Sequence, residues 1–150
     1  MNEKIENIIF EISQNKYKLI IIVGKKNENN QTVEKLKMLE NIKIFDLNSA
    51  LSKILINYSK KELNEPVEII QELISQKSSK DVIVFNQINI LHDINLKWNV
   101  IDIFKKISRN QLLVVFWDGE YKNCILHCAT KGHREYKEYP IKKSEEILII

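Results

Sequence analysis

Hydrophobic residues follow two alternating patterns along the chain: short aliphatic runs and helical spacings. The runs at residues 19–24, 82–85 and 112–117 predict strands buried on both faces of a parallel sheet, and residues 42–45 predict a further short strand. Helical spacing predicts helices over residues 3–15, 32–39, 47–58 and 100–108, and another from Pro66 to about residue 74. This alternation predicts an α/β domain with a mainly parallel sheet flanked by helices.

Shorter features refine this prediction. The polar segment 25–32 predicts a loop between the first strand and the next helix. Asn99 is placed to cap the helix at 100–108, with Asp102 at its favourable N-terminal end. Residues 121–128 and 136–141 predict short antiparallel C-terminal strands, with Gly132 in the turn between them. No repeat or linker divides the sequence, so we expect residues 1–150 to form a single domain.

Composition excludes several classes of protein. The chain has 150 residues, 44% of them hydrophobic and 29% charged, with two prolines and three glycines, which is typical of a compact globular domain. Its net charge of +3 is too small to indicate nucleic-acid binding without clustering. The sequence has no apolar run near the ~18 residues of a membrane span and no signal-peptide pattern, so we expect a cytoplasmic protein without membrane contact.

The first strand and the segment after it carry part of a phosphate-binding motif. A P-loop follows the pattern G-x-x-x-x-G-K-[ST] between a strand and a helix. Only Gly24 fits, because Asn29, Asn30 and Gln31 occupy the glycine, lysine and hydroxyl positions. A frame shifted by one residue puts Thr32 at the hydroxyl position but Gln31 at the lysine position. The segment is compatible with an ordinary strand-to-helix connection and with a degenerate nucleotide loop.

Acidic residues that would serve nucleotide hydrolysis are also missing. Asn86 and Asn89 follow the third strand, where a nucleotide hydrolase needs a carboxylate for magnesium and often another for the attacking water. We therefore predict that magnesium-dependent ATP hydrolysis is absent and name no catalytic residue; ATP and Mg²⁺ remain candidate ligands. The residues of a degenerate nucleotide site would be Gly24, Lys25, Lys26, Asn29, Asn30, Gln31, Thr32 and Asn86.

A set of segments, most of them in the second half of the chain, can be read together: 48–52, 86–91 with Asp93 and Leu96, Ser108-Arg109-Asn110, Leu113-Val114, Trp117-Asp118-Gly119, and His133-Arg134-Glu135-Tyr136 with Gly132 and Tyr139. With these segments the chain resembles the BrxF family, the small P-loop-containing proteins of the third type of BREX phage-defence system. The resemblance extends from about Lys18 to Pro140. It implies a P-loop NTPase-like fold and a role beside other BREX proteins in restricting phage. The sequence departs from the family at Asn29, Asn30, Gln31, Asn86 and Asn89, and Arg134 replaces a proline.

Arg109 and Trp117 are candidates for an association surface. Arg109 lies between a helix and a strand, where oligomeric P-loop ATPases often present an arginine to a neighbour's nucleotide. A local role is the alternative: the cation would end the helix, with Asn110 in a left-handed turn. Trp117 belongs either to an interface or to the core.

Two further groups of residues invite a site. Cys124, His127, Cys128 and His133 are all metal-ligand types, but on one strand the two cysteines would stand about 13 Å apart, so we predict free thiols and no metal site. Basic and aromatic residues near the C-terminus are compatible with a nucleic-acid surface or with a solvated edge hairpin. They are Lys131, His133, Arg134, Lys137, Lys142 and Lys143, with Tyr136 and Tyr139.

The resemblance, together with the missing catalytic residues, implies a non-catalytic or weakly nucleotide-binding component of a BREX-like antiphage system. It would act by associating with other BREX proteins or with copies of itself. Two alternatives stay open: an active ATPase that uses Lys25 or Lys26 in place of the P-loop lysine, and a DNA-binding adaptor of the same system.

Overall fold

A computed structural model describes most of the chain. The described residues are 7, 10–12, 14, 16–38, 42–55, 66–74, 82–92, 98–128, 137–142 and 147–150. The strands are β1 (Leu19–Gly24), β2 (Ile42–Asp46), β3 (Val82–Asn86), β4 (Leu113–Lys122), β5 (Ile125–Cys128), β6 (Lys137–Pro140) and β7 (Leu148–Ile149). The helices are α1 (Lys26–Leu36), α2 (Leu47–Leu55), α3 (Pro66–Ile74) and α4 (Val100–Ser108), with a 3₁₀ turn at Asn89–His92.

The sheet is mainly parallel, which confirms the predicted α/β class. Its strands lie in the order β2-β3-β4-β1-β7, and each neighbouring pair in this series is parallel. β1 pairs with the first half of β4, from Leu19 opposite Leu113 to Gly24 opposite Asp118. The second half of β4 leaves this sheet and pairs antiparallel with β5, which pairs antiparallel with β6. These short C-terminal strands were also predicted.

Helices cover both faces of the sheet. On one face, α1 packs through Val33 and Leu36 against alternate strand residues, including Ile20 and Val114. On the other face, α2, α3 and α4 pack against the intervening positions: Leu19, Ile21, Ile83, Phe85, Leu113, Val115 and Trp117. Because successive side chains of a strand point to opposite faces, two cores require strands that are apolar at every position. Burial on both faces is therefore the reason that these strands are continuous aliphatic runs in the sequence.

Several element boundaries agree with the sequence. The helix at Pro66 begins at that residue. The backbone N–H of Asp102 donates to Asn99 Oδ1 at 3.1 Å, so Asn99 caps α4 as predicted. Residues 7 and 10–12 of the predicted N-terminal helix are helical, and the rest of that prediction lies almost wholly outside the described residues. Residues 56–58 of the predicted third helix and the predicted turn at Gly132 also lie outside the described residues.

Other element boundaries differ from those predicted from the sequence. The predicted loop at 25–32 is wrong, because α1 begins at Lys26; the helix ends at Leu36, not at residue 39. Residues 121–128 do not form one strand either. β4 continues to Lys122, and Asn123 and Cys124 form a two-residue turn with φ of 53° and 61°. Two positive φ values are typical of the type I′ turn, whose twist suits a hairpin. Within the described residues, no helix has the length and apolar character needed to cross a bilayer.

Candidate functional site

A polar cleft lies where β1 and β3 end, beside the middle of β4. Its lining residues are Asn29, Asn30, Asn86, Gln87, Ile88, Asn89, Phe116 and Asp118. The connections that leave β1 and β3 pack on opposite faces of the sheet, and a crevice opens between such connections at the carboxyl edge of a parallel sheet. The cavity volume is about 20 Å³, which is room for about one water molecule. A nucleotide would need a much larger pocket.

The connection between β1 and α1 leaves no room for a phosphate-binding loop. Lys25 is the single residue between Gly24 and the first helical residue, and it is exposed and extended, with φ −74° and ψ 154°. No side chain caps the helix, and its first turn is closed by the Asn29 N–H donating to the Lys25 carbonyl oxygen at 3.0 Å. A P-loop needs several consecutive non-helical residues whose N–H groups converge on phosphate. That backbone arrangement is absent from residues 24–32.

Asn29 occupies the position that the motif assigns to its second glycine. Its side chain is 6% exposed, and Nδ2 donates to the carbonyl oxygens of Gly24 at 3.2 Å and Trp117 at 3.4 Å. Gly24 is needed for this approach, since an added Cβ would stand 2.7 Å from Asn29 Oδ1. The surviving glycine of the motif therefore makes room for an asparagine side chain.

The remaining predicted nucleotide residues are only partly brought together. Asn30 and Asn86 line the cleft with Asn29, whereas Gln31 is exposed on α1 and does not. Thr32 donates its hydroxyl hydrogen to the Glu28 carbonyl oxygen at 3.2 Å, within the helix. Lys26 opens α1. Three of the eight predicted residues thus share one cleft.

The segment after β3 has a strained backbone that Asn48 supports. Gln87 has φ 53°, in a region that residues with a side chain rarely adopt, and its N–H donates to Asn86 Oδ1 at 3.0 Å. The Gln87 carbonyl accepts from the Asn48 N–H at 2.9 Å, and Asn48 Oδ1 accepts from the Ile90 N–H at 2.8 Å. Asn48 therefore fixes this side of the cleft from the start of α2. Sequence reasoning gave it no such role, because its partners are about 40 residues away.

The side chains of the cleft are mostly neutral. Its polar lining consists of asparagine and glutamine amides plus one exposed carboxylate, Asp118. An amide is neither a general base nor a charged metal ligand. No group of three or more His, Cys, Asp or Glu side chains suited to a metal ion occurs among the described residues. The arrangement is suited to hydrogen bonding, and no lysine or arginine in the described part of the chain lines it to neutralise a phosphate.

Trp117 is a core residue. Its side chain is 0% exposed, and Nε1 donates to the His127 carbonyl oxygen at 2.9 Å. Its ring lies edge-on to His92 and Tyr139, with centroid separations of 5.1 and 5.7 Å. The core alternative is therefore the correct one, and the prediction that its side chain contributes to an interface is wrong.

The aromatic cluster of His92, Trp117 and Tyr139 was not found from the sequence. His92 is 6% exposed, and its burial, helped by the charge of Lys137, lowers its pKa to about 4. Burial is also the main cause that raises the pKa of Tyr139. Neither His92 Nδ1 nor the Tyr139 hydroxyl has a hydrogen-bond partner among the described residues.

Arg109 lies at the opposite edge of the sheet from Trp117. It follows α4, whose end is joined to the start of β1 by the Lys18 N–H donating to the Ser108 carbonyl at 2.9 Å. β4 then runs from Leu113 to Trp117 towards the cleft, so the predicted shared surface of Arg109 and Trp117 does not exist. Asn110 is also not left-handed, since positive φ values among described non-glycine residues occur only at Gln87, Asn123 and Cys124.

The prediction that the two cysteines do not pair is confirmed: Cys124 is exposed in the hairpin turn, Cys128 is buried in β5, and neither forms a disulfide. The predicted C-terminal basic and aromatic surface is described only in part. Tyr139 is buried, so its ring cannot stack on a base. Lys137 and Lys142 are described, whereas residues 131–136 and Lys143 lie outside the described residues.

Comparison with known proteins assigns no family: no family model, no curated protein and no solved structure matches this chain. The resemblance to the BrxF family stays a prediction.

Proposed function

We propose that this chain is a non-catalytic component of a BREX-like antiphage system, which works in the cytoplasm by associating with other proteins of that system or with copies of itself. The observation that carries the non-catalytic part is the junction of β1 and α1. There the helix begins two residues after Gly24, and Asn29 fills the space above the strand end.

The composition of the cleft supports the same proposal. Asn86, the residue that ends β3, donates no charge to a metal and already accepts a hydrogen bond from the Gln87 N–H at 3.0 Å. Asn89 is exposed and neutral. A protein without these catalytic groups influences a process by binding, and its fold alone does not define a reaction.

The ATPase alternative has less support. Lys25 is exposed at the N-cap of α1, where a cation meets the positive end of the helix dipole. A lysine that replaces the P-loop lysine must reach the β and γ phosphates over a loop that holds them, and α1 takes the place of that loop. Lys26 is part of the same helix.

One experiment tests catalysis directly. Purified protein is assayed for magnesium-dependent ATP turnover beside a mock preparation and the variants Lys25→Ala and Lys26→Ala. We expect no turnover above the mock preparation. Turnover that either alanine variant abolishes would establish the ATPase alternative.

A second experiment tests association in defence. The genomic neighbourhood of the gene is moved intact into a phage-sensitive host. The gene is then deleted from it and restored either as wild type or as Asn30→Ala/Asn86→Ala. We expect deletion to lower phage protection, both restored forms to recover it, and the protein to copurify with the product of a neighbouring defence gene. Full protection without the gene, or a neighbourhood without defence genes, would refute the proposal.

A further inference from the structure

Three cationic side chains converge on one tyrosine at the edge of the sheet opposite the cleft. Tyr17 precedes β1, and the ammonium nitrogen of Lys16 lies 5.3 Å from its ring centroid. The guanidinium carbon of Arg109 lies 5.6 Å from that centroid, and the Lys105 nitrogen lies 6.0 Å from it. We call Lys16, Tyr17, Lys105 and Arg109 the basic cluster.

The backbone that carries the basic cluster is fixed by the core. The Lys18 N–H donates to the Ser108 carbonyl at 2.9 Å, and the Leu113 N–H donates to the Lys18 carbonyl at 2.8 Å. Ser108 is fully buried, and Phe104 and Ile107 hold α4 against the sheet. The segment before β1 and the end of α4 are therefore held together, although they are far apart in sequence.

Arg109 is held ready to bind an anion. The guanidinium is exposed, and Nη2 donates to the Tyr17 hydroxyl oxygen at 3.4 Å. Within the described part of the chain, no carboxylate forms an ion pair with Arg109. An arginine has five N–H donors in a planar fork that fits a phosphate bidentately, and contact with a tyrosine restricts the side chain before binding.

Helix-end electrostatics explains part of this cluster only. Cations are favoured in the last turn of a helix, which accounts for Lys105 and Arg109. Lys16 belongs to a different segment and still lies over the same ring. Lys105 and Arg109, four residues apart on one helix face, also repel each other.

The electrostatic effect of the cations is evident at the phenol. The hydrogen bond from Arg109, together with the charges of Lys16, Arg109 and Lys105, lowers the pKa of Tyr17 despite an opposing effect of desolvation. A lowered phenol pKa means that negative charge is favoured at that oxygen. The same potential attracts an anion from solvent.

From this geometry we infer that the basic cluster binds the phosphate backbone of nucleic acid. Lysine is depleted from the centres of protein–protein interfaces, whereas lysine and arginine around an aromatic ring are typical of surfaces that follow a phosphodiester chain. The basic cluster is separate from the cleft, and the inference that it binds nucleic acid does not depend on the proposed function.

The test is fluorescence anisotropy of a labelled oligothymidine and a labelled duplex with the full chain, from about 50 to about 200 mM salt. The test variant is Lys16→Gln/Lys105→Gln/Arg109→Gln. The control variant, Lys43→Gln/Lys53→Gln/Lys122→Gln, loses the same charge at exposed positions of β2, α2 and β4. Far-ultraviolet circular dichroism and the thermal midpoint establish that each variant is folded.

We expect wild type to bind at least one of the two nucleic acids, and the test variant to lose affinity at least about tenfold at low salt. Each lost phosphate contact lowers the slope of log K against log salt by about 0.7 to 0.9, so the slope should fall by about two to three. The control variant should keep affinity within about twofold. The inference is overturned if neither nucleic acid binds wild type, if the test variant keeps the affinity of wild type, or if both variants lose affinity equally.

Discussion

The side-chain amide of Asn29 lies 3.4 Å from the carbonyl oxygen of Trp117, a residue 88 positions away. The same amide also donates to the Gly24 carbonyl, so one side chain joins α1 to the end of β1 and the middle of β4. We expect Asn29→Ala to lower the free energy of unfolding by about 1 to 3 kcal/mol, because a buried hydrogen-bonding group is lost and two acceptors are left without it. Urea unfolding measures the change. The exposed neighbour is the control: Asn30→Ala should shift the free energy by less than about 0.5 kcal/mol, and equal losses in both variants would contradict the assigned role.

Restoring the letters of the phosphate-binding motif should not restore nucleotide binding. Asn29→Gly/Asn30→Lys/Gln31→Thr creates the consensus sequence, but the backbone from residue 26 onwards is helical, and the glycine also removes the Asn29 hydrogen bonds. We expect a less stable protein without measurable Mg-ATP binding by isothermal titration calorimetry. Micromolar binding by this variant would mean that the segment can refold into a loop at little cost.

The hairpin turn offers a stabilising substitution. Cys124 has φ 61°, a conformation that costs a non-glycine residue about 1 kcal/mol, and Asn-Gly is the preferred pair for a type I′ turn. Cys124→Gly should therefore raise the free energy of unfolding by about 0.5 to 1 kcal/mol. Cys124→Ala keeps the Cβ and removes the thiol, so it separates the backbone effect from any thiol contact. A Cys124→Gly protein no more stable than the Cys124→Ala protein would contradict this account of the turn.

His92 should make stability depend on pH. Burial lowers its pKa to about 4 from the ordinary value of 6.5, so the unfolded chain binds a proton that the folded chain rejects. The contribution of neutral His92 to the free energy of unfolding is fully present above pH 6.5. It decreases as the pH falls from 6.5 towards 4, by about 3 kcal/mol in total. Urea unfolding across this range measures the decrease. In His92→Phe, which keeps an aromatic ring beside Trp117, the curve should be flatter by that amount; an unchanged curve would assign the pH dependence to other groups.

The predicted parts of the fold are those that the sequence encodes locally. Ile20 and Ile21 go to different cores, and a strand buried in this way is recognisable because every position is apolar. The Asn99 cap was predictable because its partner, Asp102, is three residues away.

The missed parts depend on distant residues. The polar start of α1 is stabilised by Asn29, whose partner on β4 cannot be identified from the local sequence. The predicted fourth strand ends at residue 117, yet β4 continues to Lys122. Gly119 permits the close approach of β5 there, since an added Cβ would collide with the His127 carbonyl oxygen. The basic cluster likewise joins Tyr17 and Arg109, which are 92 residues apart.

β4 pairs with strands of both the parallel sheet and the C-terminal ribbon, which is formed by β5 and β6. This makes the C-terminal ribbon part of the same cooperative unit as the core. The first half of β4 pairs with β1 and β3, and its second half pairs with β5. Trp117 lies where the two halves meet and is hydrogen-bonded to the His127 carbonyl of β5. Separation of the C-terminal ribbon from the core would therefore expose a fully buried tryptophan. For this reason the amide hydrogens of β5 should exchange only when the whole protein unfolds.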